Sequence, residues 1–459
     1  MMTYWIPRFS NKVKTKYMQI VEALAEDINN GLIMDGTRLP SQRQIAKALD
    51  IDLTTVTRAL NEAASRGLIE AKRGDGTHVR RAFQQNEEGQ AHSELDLSMN
   101  IAPQPAYLNK KFAQILNELL LNKPSLSLGY KESNHSQHDL YAASLWLKSR
   151  LGHIERERIV IAAGAQNALF SLCNLLFKPD SLICAGEFTY PGLKAIAANQ
   201  RLRLNPLKMD ADGIIPAAFN ELCKQETPAG IYLIPTLDNP TTAIMPDARR
   251  DEIIAIARQF DVKIIEDDPY SALVDNAPAA FLVKAPERTW HISTLSKSLS
   301  PSLRVAYVIS PGFQEREQLA AMLRTTSLMP SPLTLALATT LISTGDAEKI
   351  LATIKKEIGQ RQLIAKKILS AYSFNVHRTG HHLWLYLPNY LQARDFAAYA
   401  NQFGLAIVPS YLFAIEETNP VNAVRISLGA AATEALVKKS LQLLVELMQQ
   451  SFLPQKILV

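Results

Sequence analysis

The sequence predicts an α/β chain in two unlike parts: a small helical head, then a large doubly wound body ending in a smaller α/β domain. Three observations predict it. Apolar residues between positions 17 and 63 recur at helical spacing in three separate runs, and two short strands follow by position 79. From about position 110 onward, helical stretches alternate with short strands apolar on both faces, which is the pattern of a mostly parallel sheet covered on both faces. The chain has 459 residues, more than one ordinary core fills, so two or three domains are expected.

Composition narrows the class. With 47% apolar and 20% charged residues the chain is globular and not disordered. No apolar run reaches the roughly 20 residues that span a bilayer. The opening MMTYWIPRFSNKVK lacks the apolar stretch of a signal peptide. A cytoplasmic protein with no membrane partner is expected. Cys173, Cys184 and Cys223 are odd in number and have no metal-ligand spacing, so reduced thiols and no metal are expected. Net charge is +5 at pH 7; residues 1–80 hold 12 Lys+Arg against 9 Asp+Glu, which puts +3 of it in the head. That bias leans toward nucleic acid.

In the head, Tyr17, Ile20, Val21, Leu24 and Ile28 form one helical stripe, ended by Gly31. A second helix opens at Ser41, whose spacing to Gln44 fits a capping box ahead of Ile45, Ala46, Ala48 and Leu49. After Asp50-Ile51-Asp52, a third helix carries Val56, Leu60 and Ala63 inward and ends at Gly67. Leu68 and Ile69 begin a strand, RGDG (73–76) turns the chain, and Thr77-His78-Val79 returns. Three helices and a two-stranded ribbon make a winged helix-turn-helix. The third helix shows Thr54, Thr55, Thr57 and Arg58 outward, which suits the major groove of double-stranded DNA. Arg43 can reach a phosphate, and Gly74 and Gly76 let the turn approach a DNA backbone closely. The head spans residues 1–80. Residues 81–95, polar and without period, read as a flexible linker. The body takes 96–459, with its smaller subdomain from about 315.

The body's helices are expected at 110–122, 138–151, 165–177 and 246–260. Its strands are expected at 158–162, 182–186, 231–235, 262–267, 290–295 and 304–310, with 382–387 and 423–429 in the smaller domain. Ligands of such sheets bind beyond the carboxyl ends of the strands. Gly164-Ala165-Gln166 sits at one such end and opens a helix, where free amides attract phosphate. Tyr190 can stack on a flat ring. Asn239 and Tyr270 can both reach a ring oxygen. Asp267 ends its strand, where an unpaired carboxylate is costly to bury and a pyridinium proton would satisfy it. Lys297 follows another apolar strand, and a lysine amine can join an aldehyde. Thr294, Ser296 and Arg304 can complete a phosphate cradle. Singly these are a surface lysine, a turn asparagine and packing tyrosines. Their succession at strand ends points to pyridoxal 5'-phosphate, which needs an amine for its aldehyde and a carboxylate for its ring nitrogen.

LPSQRQIAKALDIDLTTVTRALNEAASRGLIEAKRGDGTHV (39–79) resembles the GntR family of bacterial regulators, with Asp75 where a basic or neutral residue is more usual. Residues 95–450 resemble class I aminotransferases of fold type I. This resemblance implies that Lys297 carries the cofactor as an internal aldimine and Asp267 faces its pyridinium. It implies that Tyr190 stacks on the ring, with Asn239 and Tyr270 on the phenolic oxygen. Ala165, Gln166, Thr294, Ser296 and Arg304 then hold the phosphate, and Arg425 in VRISLG clamps a substrate or effector carboxylate. Tyr130 in SLGY matches a tyrosine that reaches a neighbour's phosphate across a dimer. Thr242 stands where this family usually has glycine, and KESNHSQHDLYAASL after Tyr130 departs from the usual pattern. The two resemblances together are those of the MocR subgroup. They imply a homodimeric, DNA-binding transcriptional regulator with an amino compound or the cofactor itself as effector. The alternatives are a working aminotransferase with a secondary DNA-binding head, and a regulator that uses its body only to dimerise.

Overall fold

The structure, a computed structural model, describes residues 5–7, 15–29, 32–33, 36–66, 68–72, 75–79, 95–122, 136–416 and 421–450. Internal contacts divide the chain into Met1–Ala91 and His92–Val459. Gly31, Gly67, Gly74, Tyr130 and most of the expected linker lie outside the described residues.

The head follows the expected plan. Helix α1 (Lys16–Asn29) packs on α3 (Leu53–Ser65), with α2 (Gln42–Leu49) beside it. Ile20, Val21, Leu24, Ile45, Val56 and Leu60 close one core, because the stripes that repeat every three to four residues all face it. Ser41 caps α2 in a full capping box: its Oγ accepts from Gln44 N at 3.4 Å, and Gln44 Oε1 accepts from Ser41 N at 2.8 Å. A cap of this kind contributes about 1 kcal/mol. Strands β1 (Ile69–Lys72) and β2 (Gly76–Val79) pair antiparallel as the wing.

The body opens with β3 (Leu95–Asp96), so Leu95, assigned to the linker by the sequence, is a strand residue. Next come α4 (Leu108–Asn122), α5 (Gln137–Leu151), β4 (Ile159–Ala162), α6 (Ala165–Leu176), β5 (Leu182–Gly186), α7 (Pro191–Asn199) and β6 (Arg203–Leu207). A short hairpin of β7 (Met209–Asp210) and β8 (Gly213–Ile214) leads into α8 (Pro216–Gln225). Strand β9 (Gly230–Leu233), α9 (Asp247–Gln259), β10 (Lys263–Asp267), α10 (Phe281–Lys284), β11 (Thr289–Thr294) and β12 (Ala306–Ile309) complete the large sheet. Its order is β4-β12-β11-β10-β9-β5-β6. Strand β12 is antiparallel to both neighbours and the other pairs are parallel. The carboxyl ends of β5, β9, β10 and β11 therefore open on one edge.

Helices α11 (Phe313–Ser327) and α12 (Pro332–Ser343) still belong to the large lobe. Leu319, Leu323, Leu335 and Leu341 join the core that contains Ile161 and Ile292. The long α13 (Asp346–Ile368) contributes Ile350 and Ile354 to that core but Ile358 and Ala365 to the next. The lobes divide within α13, later than the expected 315, because an apolar helix stripe does not say which sheet it covers. The second lobe holds β13 (Phe374–Val376), β14 (His382–Tyr386), α14 (Ala393–Gln402), β15 (Leu405–Ala406), β16 (Val408–Pro409), β17 (Ala423–Ser427) and α15 (Glu434–Gln450). Its sheet runs β13-β14-β17-β16, while β15 pairs in parallel with β3.

Candidate functional site

At the end of β10, Asp267 is only 5% exposed. Its Oδ2 accepts from Tyr232 Oη at 2.7 Å, while Oδ1 has no partner among the described residues. Burial pushes this carboxyl up to about 6; the Tyr232 hydrogen bond pulls the other way and Asp268 adds to the rise. Behind it Glu266 is wholly buried, accepts from Phe281 N and Leu282 N at 3.0 and 3.1 Å, and meets His291 Nδ1 at 2.8 Å. Arg150 and Arg250 supply positive charge to this layer, and Arg150 Nε donates to Asp268 at 2.7 Å. Against its burial, His291 and the two arginines hold Glu266 well below the usual carboxylate range. Asp267 thus keeps one oxygen without a partner among the described residues, as does Asp268 at Oδ1, while both oxygens of Glu266 are bonded.

Lys297 follows β11, its side chain half-buried. Burial and the nearby Arg425 pull its amine down to about 8, so a larger share is the uncharged nucleophile at neutral pH. The amine donates to the carbonyl of Asn100, and the Lys297 carbonyl meets His381 Nε2 at 2.6 Å. Arg425, central in β17 and 8% exposed, donates from Nη1 to Asn239 Oδ1 at 2.9 Å and from Nη2 to Ser98 O at 2.6 Å. Its Nε has no partner among the described residues, and burial pulls the guanidinium down to about 10. Asn239 is 6% and Tyr270 2% exposed; Tyr270 Oη accepts from Asn100 Nδ2 at 2.9 Å. Tyr190 caps the start of α7 and is half-buried, with burial and Asp267 both pushing its hydroxyl up.

The anion end lies at the start of α6. Gly164 has φ +91°, a backbone region that favours glycine, and the Arg304 guanidinium lies 3.0 Å from where a Cβ would stand. Ala165 and Gln166 supply the first turn of α6, and Gln166 Oε1 is buried without a partner among the described residues. Thr294 Oγ1 donates to Ser296 Oγ at 3.2 Å, and Arg304 is exposed with no ion pair among the described residues. Free amides, two hydroxyls and an arginine are groups that can bind an anion. The cleft therefore offers an amine that can join an aldehyde, a buried carboxylate for a cationic ring nitrogen, a phosphate-type cradle, and an arginine for a carboxylate.

Sequence reasoning missed the segment that floors this cleft. Leu97 N donates to Ala406 O, Ser427 N donates to Leu97 O, and the carbonyls of Ser98 and Asn100 take Arg425 and Lys297. A Cβ at Gly429 would stand 1.7 Å from Ile101 O, so only glycine lets the segment pass. Asn100, His381 and His382 carried no spacing signal. Thr242, at the glycine position of the resemblance, keeps a left-handed φ of +64°, strained for a β-branched residue.

In the head, Arg43, Thr54 and Arg58 are exposed, and Thr55 is half-buried. Thr57 Oγ1 is engaged by Gln42 Oε1 at 2.8 Å, and the Arg58 guanidinium lies 4.3 Å from the centre of the Tyr17 ring. Gly76 has φ +92°, and Asp75 pairs with Arg38 at 3.7 Å and His78 at 3.4 Å. The Arg38 guanidinium places a positive charge beside the unusual acid of the wing. No helix among the described residues is long and apolar enough to cross a membrane.

Comparison with known proteins gives the family and the fold. Residues 115–444 match the family described as aminotransferase class I and II, and residues 16–79 match the bacterial regulatory proteins of the gntR family. The chain is 29% identical over 447 residues to the uncharacterized HTH-type transcriptional regulator YdeF of Bacillus subtilis, covering 97% of this chain and 96% of that one. It is 25% identical to the HTH-type transcriptional regulator TauR of Rhodobacter capsulatus, covering 90% and 93%. Among solved structures, Pyrococcus horikoshii kynurenine aminotransferase superposes with a TM-score of 0.72 at 20% identity, covering 78% of this chain and 92% of that one. LysN, the α-aminoadipate aminotransferase of Thermus thermophilus, gives 0.72 at 19% identity, covering 80% and 95%. The chain belongs to the class I and II aminotransferase family and joins that body to a gntR-type helix-turn-helix head, the organisation of MocR-type transcriptional regulators.

Proposed function

We propose that this protein is a DNA-binding transcriptional regulator whose body holds pyridoxal 5'-phosphate on Lys297 and responds to an amino compound. The observation that carries the reading is the unpartnered Oδ1 of buried Asp267, in the same cleft as the softened amine of Lys297. A buried carboxylate without a partner is costly, and a ring-nitrogen proton offsets that cost. The residues present fit the cofactor. Tyr190 would cover the ring; Asn239 and Tyr270 would reach its oxygen; Ala165, Gln166, Thr294, Ser296 and Arg304 would bind the phosphate. When bound, the cofactor supplies a reactive aldehyde and an electron-withdrawing ring. Lys297 would provide the covalent attachment, and its amine, when free, would take up or give back a proton beside the ring. Arg425 would hold the carboxylate of that amine bidentately.

The exposed face of α3, with Arg58 and Thr54, would read the major groove, and Arg43 would contact phosphate. A homodimer in the cytoplasm, with Tyr130 serving the neighbour's cleft, completes the reading. A regulator of this kind can respond to its effector only by the difference in affinity between its two states. The test joins spectroscopy to DNA binding. The purified chain should turn yellow with the cofactor, and an amino acid panel should change both that band and promoter output. Lys297→Ala should lose the band and the response together. A response that survives in Lys297→Ala sinks the switch.

A second reading is favoured by one observation: Lys297, Asp267 and Arg425 are all present in one cleft, as an aminotransferase needs. Turnover of amino and keto acids near 1–1000 per second, without DNA binding, would establish that reading instead.

A further inference from the structure

We infer that Asn100 and His382 are positioning residues that lock the Tyr270 hydroxyl as a hydrogen-bond donor toward the oxygen of the bound ring. The inference rests on the cofactor reading above and deepens it.

The direction of the chain of hydrogen bonds follows from its far end. His382 Nε2 lies 3.1 Å from the carbonyl oxygen of Asp238. A carbonyl only accepts, so Nε2 carries the hydrogen and Nδ1 is bare. Burial, the largest influence, and then Arg425 push the His382 ring well below the usual histidine range, so it stays neutral. Bare Nδ1 needs a donor, and the Asn100 carboxamide stands 3.2 Å from it. The group facing His382 is therefore the amide NH2. The same nitrogen is 2.9 Å from Tyr270 Oη. Both amide hydrogens are then in use, one to His382 and one to Tyr270. Tyr270 Oη receives a hydrogen, so its own must be given elsewhere. Among the described residues it has no acceptor, although Tyr270 is 2% exposed. Burial pushes this hydroxyl well above the usual tyrosine range, so the proton is not lost to water at neutral pH.

The ligand oxygen is the acceptor left over. Asn100 Oδ1 is buried without a partner as well, so the carboxamide is held by its NH2 side alone. The other groups facing Tyr270 are Arg425, Asp267, Tyr190 and Asp238, with the rings of His381 and His382 at 6.4 and 5.8 Å between centroids. None of these replaces the Asn100 donor at Oη in the structure.

A donor on the ring oxygen draws off negative charge that would otherwise hold the proton of the Lys297 linkage. The donor thus lowers the pH at which the visible band changes form. Removing the Asn100 contact frees Tyr270 Oη to turn, so that midpoint should rise. Loosening this one hydrogen bond to a charged oxygen should shift the midpoint by about one pH unit, which is about 1.4 kcal/mol.

The experiment is a pH titration of the visible band in full-length holoprotein, with added pyridoxal 5'-phosphate as the probe. Asn100→Ala and Asn100→Leu should raise the midpoint by about one pH unit. Tyr270→Phe should raise it at least as far. Adding Asn100→Leu to Tyr270→Phe should change nothing more, because Asn100 acts through the hydroxyl that Phe lacks. Circular dichroism of each variant reports folding, and two different Asn100 side chains guard against the failure of one. An unchanged midpoint in both single Asn100 variants overturns the inference and leaves the cofactor reading intact. So does an equal shift in the Tyr270→Phe background, which would mark a general packing effect. A parent chain with no visible band overturns the cofactor reading, and this inference with it.

Discussion

Replacing Asp267 by Asn should make the cofactor-free chain more stable and the cofactor-bound chain weaker. Burial lifts the Asp267 carboxyl from 3.8 to about 6. Between those values the folded chain holds a proton that the unfolded chain has released. The stability linked to that proton is present at low pH and is lost as pH rises through about 6. At pH 7.5 the full cost applies, about two pKa units or roughly 3 kcal/mol. Asn carries no such cost, and its side-chain oxygen still accepts from Tyr232. Cofactor-free Asp267→Asn should therefore exceed the parent by up to about 3 kcal/mol at pH 7.5, with the gap falling to about half near pH 5. Asp238 is also raised to about 6, but it is common to both chains and cancels in the comparison. Urea unfolding of the two cofactor-free proteins at both pH values measures the gap. Removing one member of a buried charge pair costs about 3–5 kcal/mol, so cofactor affinity should fall by a hundredfold or more. A variant that is less stable at pH 7.5, or a gap that does not narrow by pH 5, refutes the view that burial raises this carboxyl.

Three further outcomes are expected. Arg58→Ala should weaken operator binding by about 1–3 kcal/mol and leave the visible band unchanged; fluorescence anisotropy with labelled DNA, over a range of salt, reads the first, and a parallel absorbance scan the second. Arg425→Ala should weaken binding of a carboxylated amine by roughly a hundredfold while sparing the matching amine without its carboxylate, as read by calorimetric titration. Ser41→Ala removes the capping box of α2 and should lower head stability by about 1 kcal/mol, seen as a shift in its unfolding transition by circular dichroism.

Much of the fold was legible because its signals are local. LICAG is an apolar run of strand length and VKIIED has an apolar Ile264-Ile265 centre, and both are strands at nearly those bounds. The capping box at Ser41 was visible from a spacing of three. Strand β6 was not legible: RLNPL holds Arg203, Asn205 and Pro206, and it survives because it is an edge strand paired only with β5. The site divided the same way. Residues at strand ends, such as Asp267 and Lys297, announced themselves by where their strands stop. Asn100 did not, because its partners Tyr270 and His382 lie 170 and 282 residues away. Nothing in the window around Asn100 distinguishes a cleft carboxamide from a loop residue. The boundary between lobes was misplaced for a related reason, since α11 and α12 have apolar faces whose destination only the packed sheet decides.

The cleft is arranged against its own stability, and that bears on why its parts persist together. Asp267 is pushed toward its protonated form, and Lys297 and Arg425 toward their neutral forms, chiefly by burial. In the proposed reading two partners would relieve them: the cofactor would bring a ring nitrogen for the carboxylate and an aldehyde for the amine, and the amino compound a carboxylate for the guanidinium. Until then the backbone carbonyls of Asn100 and Ser98 serve the two cations. A ligand must outbid those carbonyls, so its affinity is a difference and not the sum of its new contacts. Both carbonyls lie on the stretch that enters the body at β3, the first described segment after the head. Binding partners that take Lys297 and Arg425 in turn would remove charged partners from that stretch and shift any equilibrium it joins by the corresponding difference. An enzyme and a regulator both need this cleft. They differ in whether proton transfer at Lys297 runs on to product or the exchange of partners at Ser98 and Asn100 is the output. Asn100→Ala keeps both carbonyls, so it alters ring electronics through Tyr270 while leaving the exchange of partners in place.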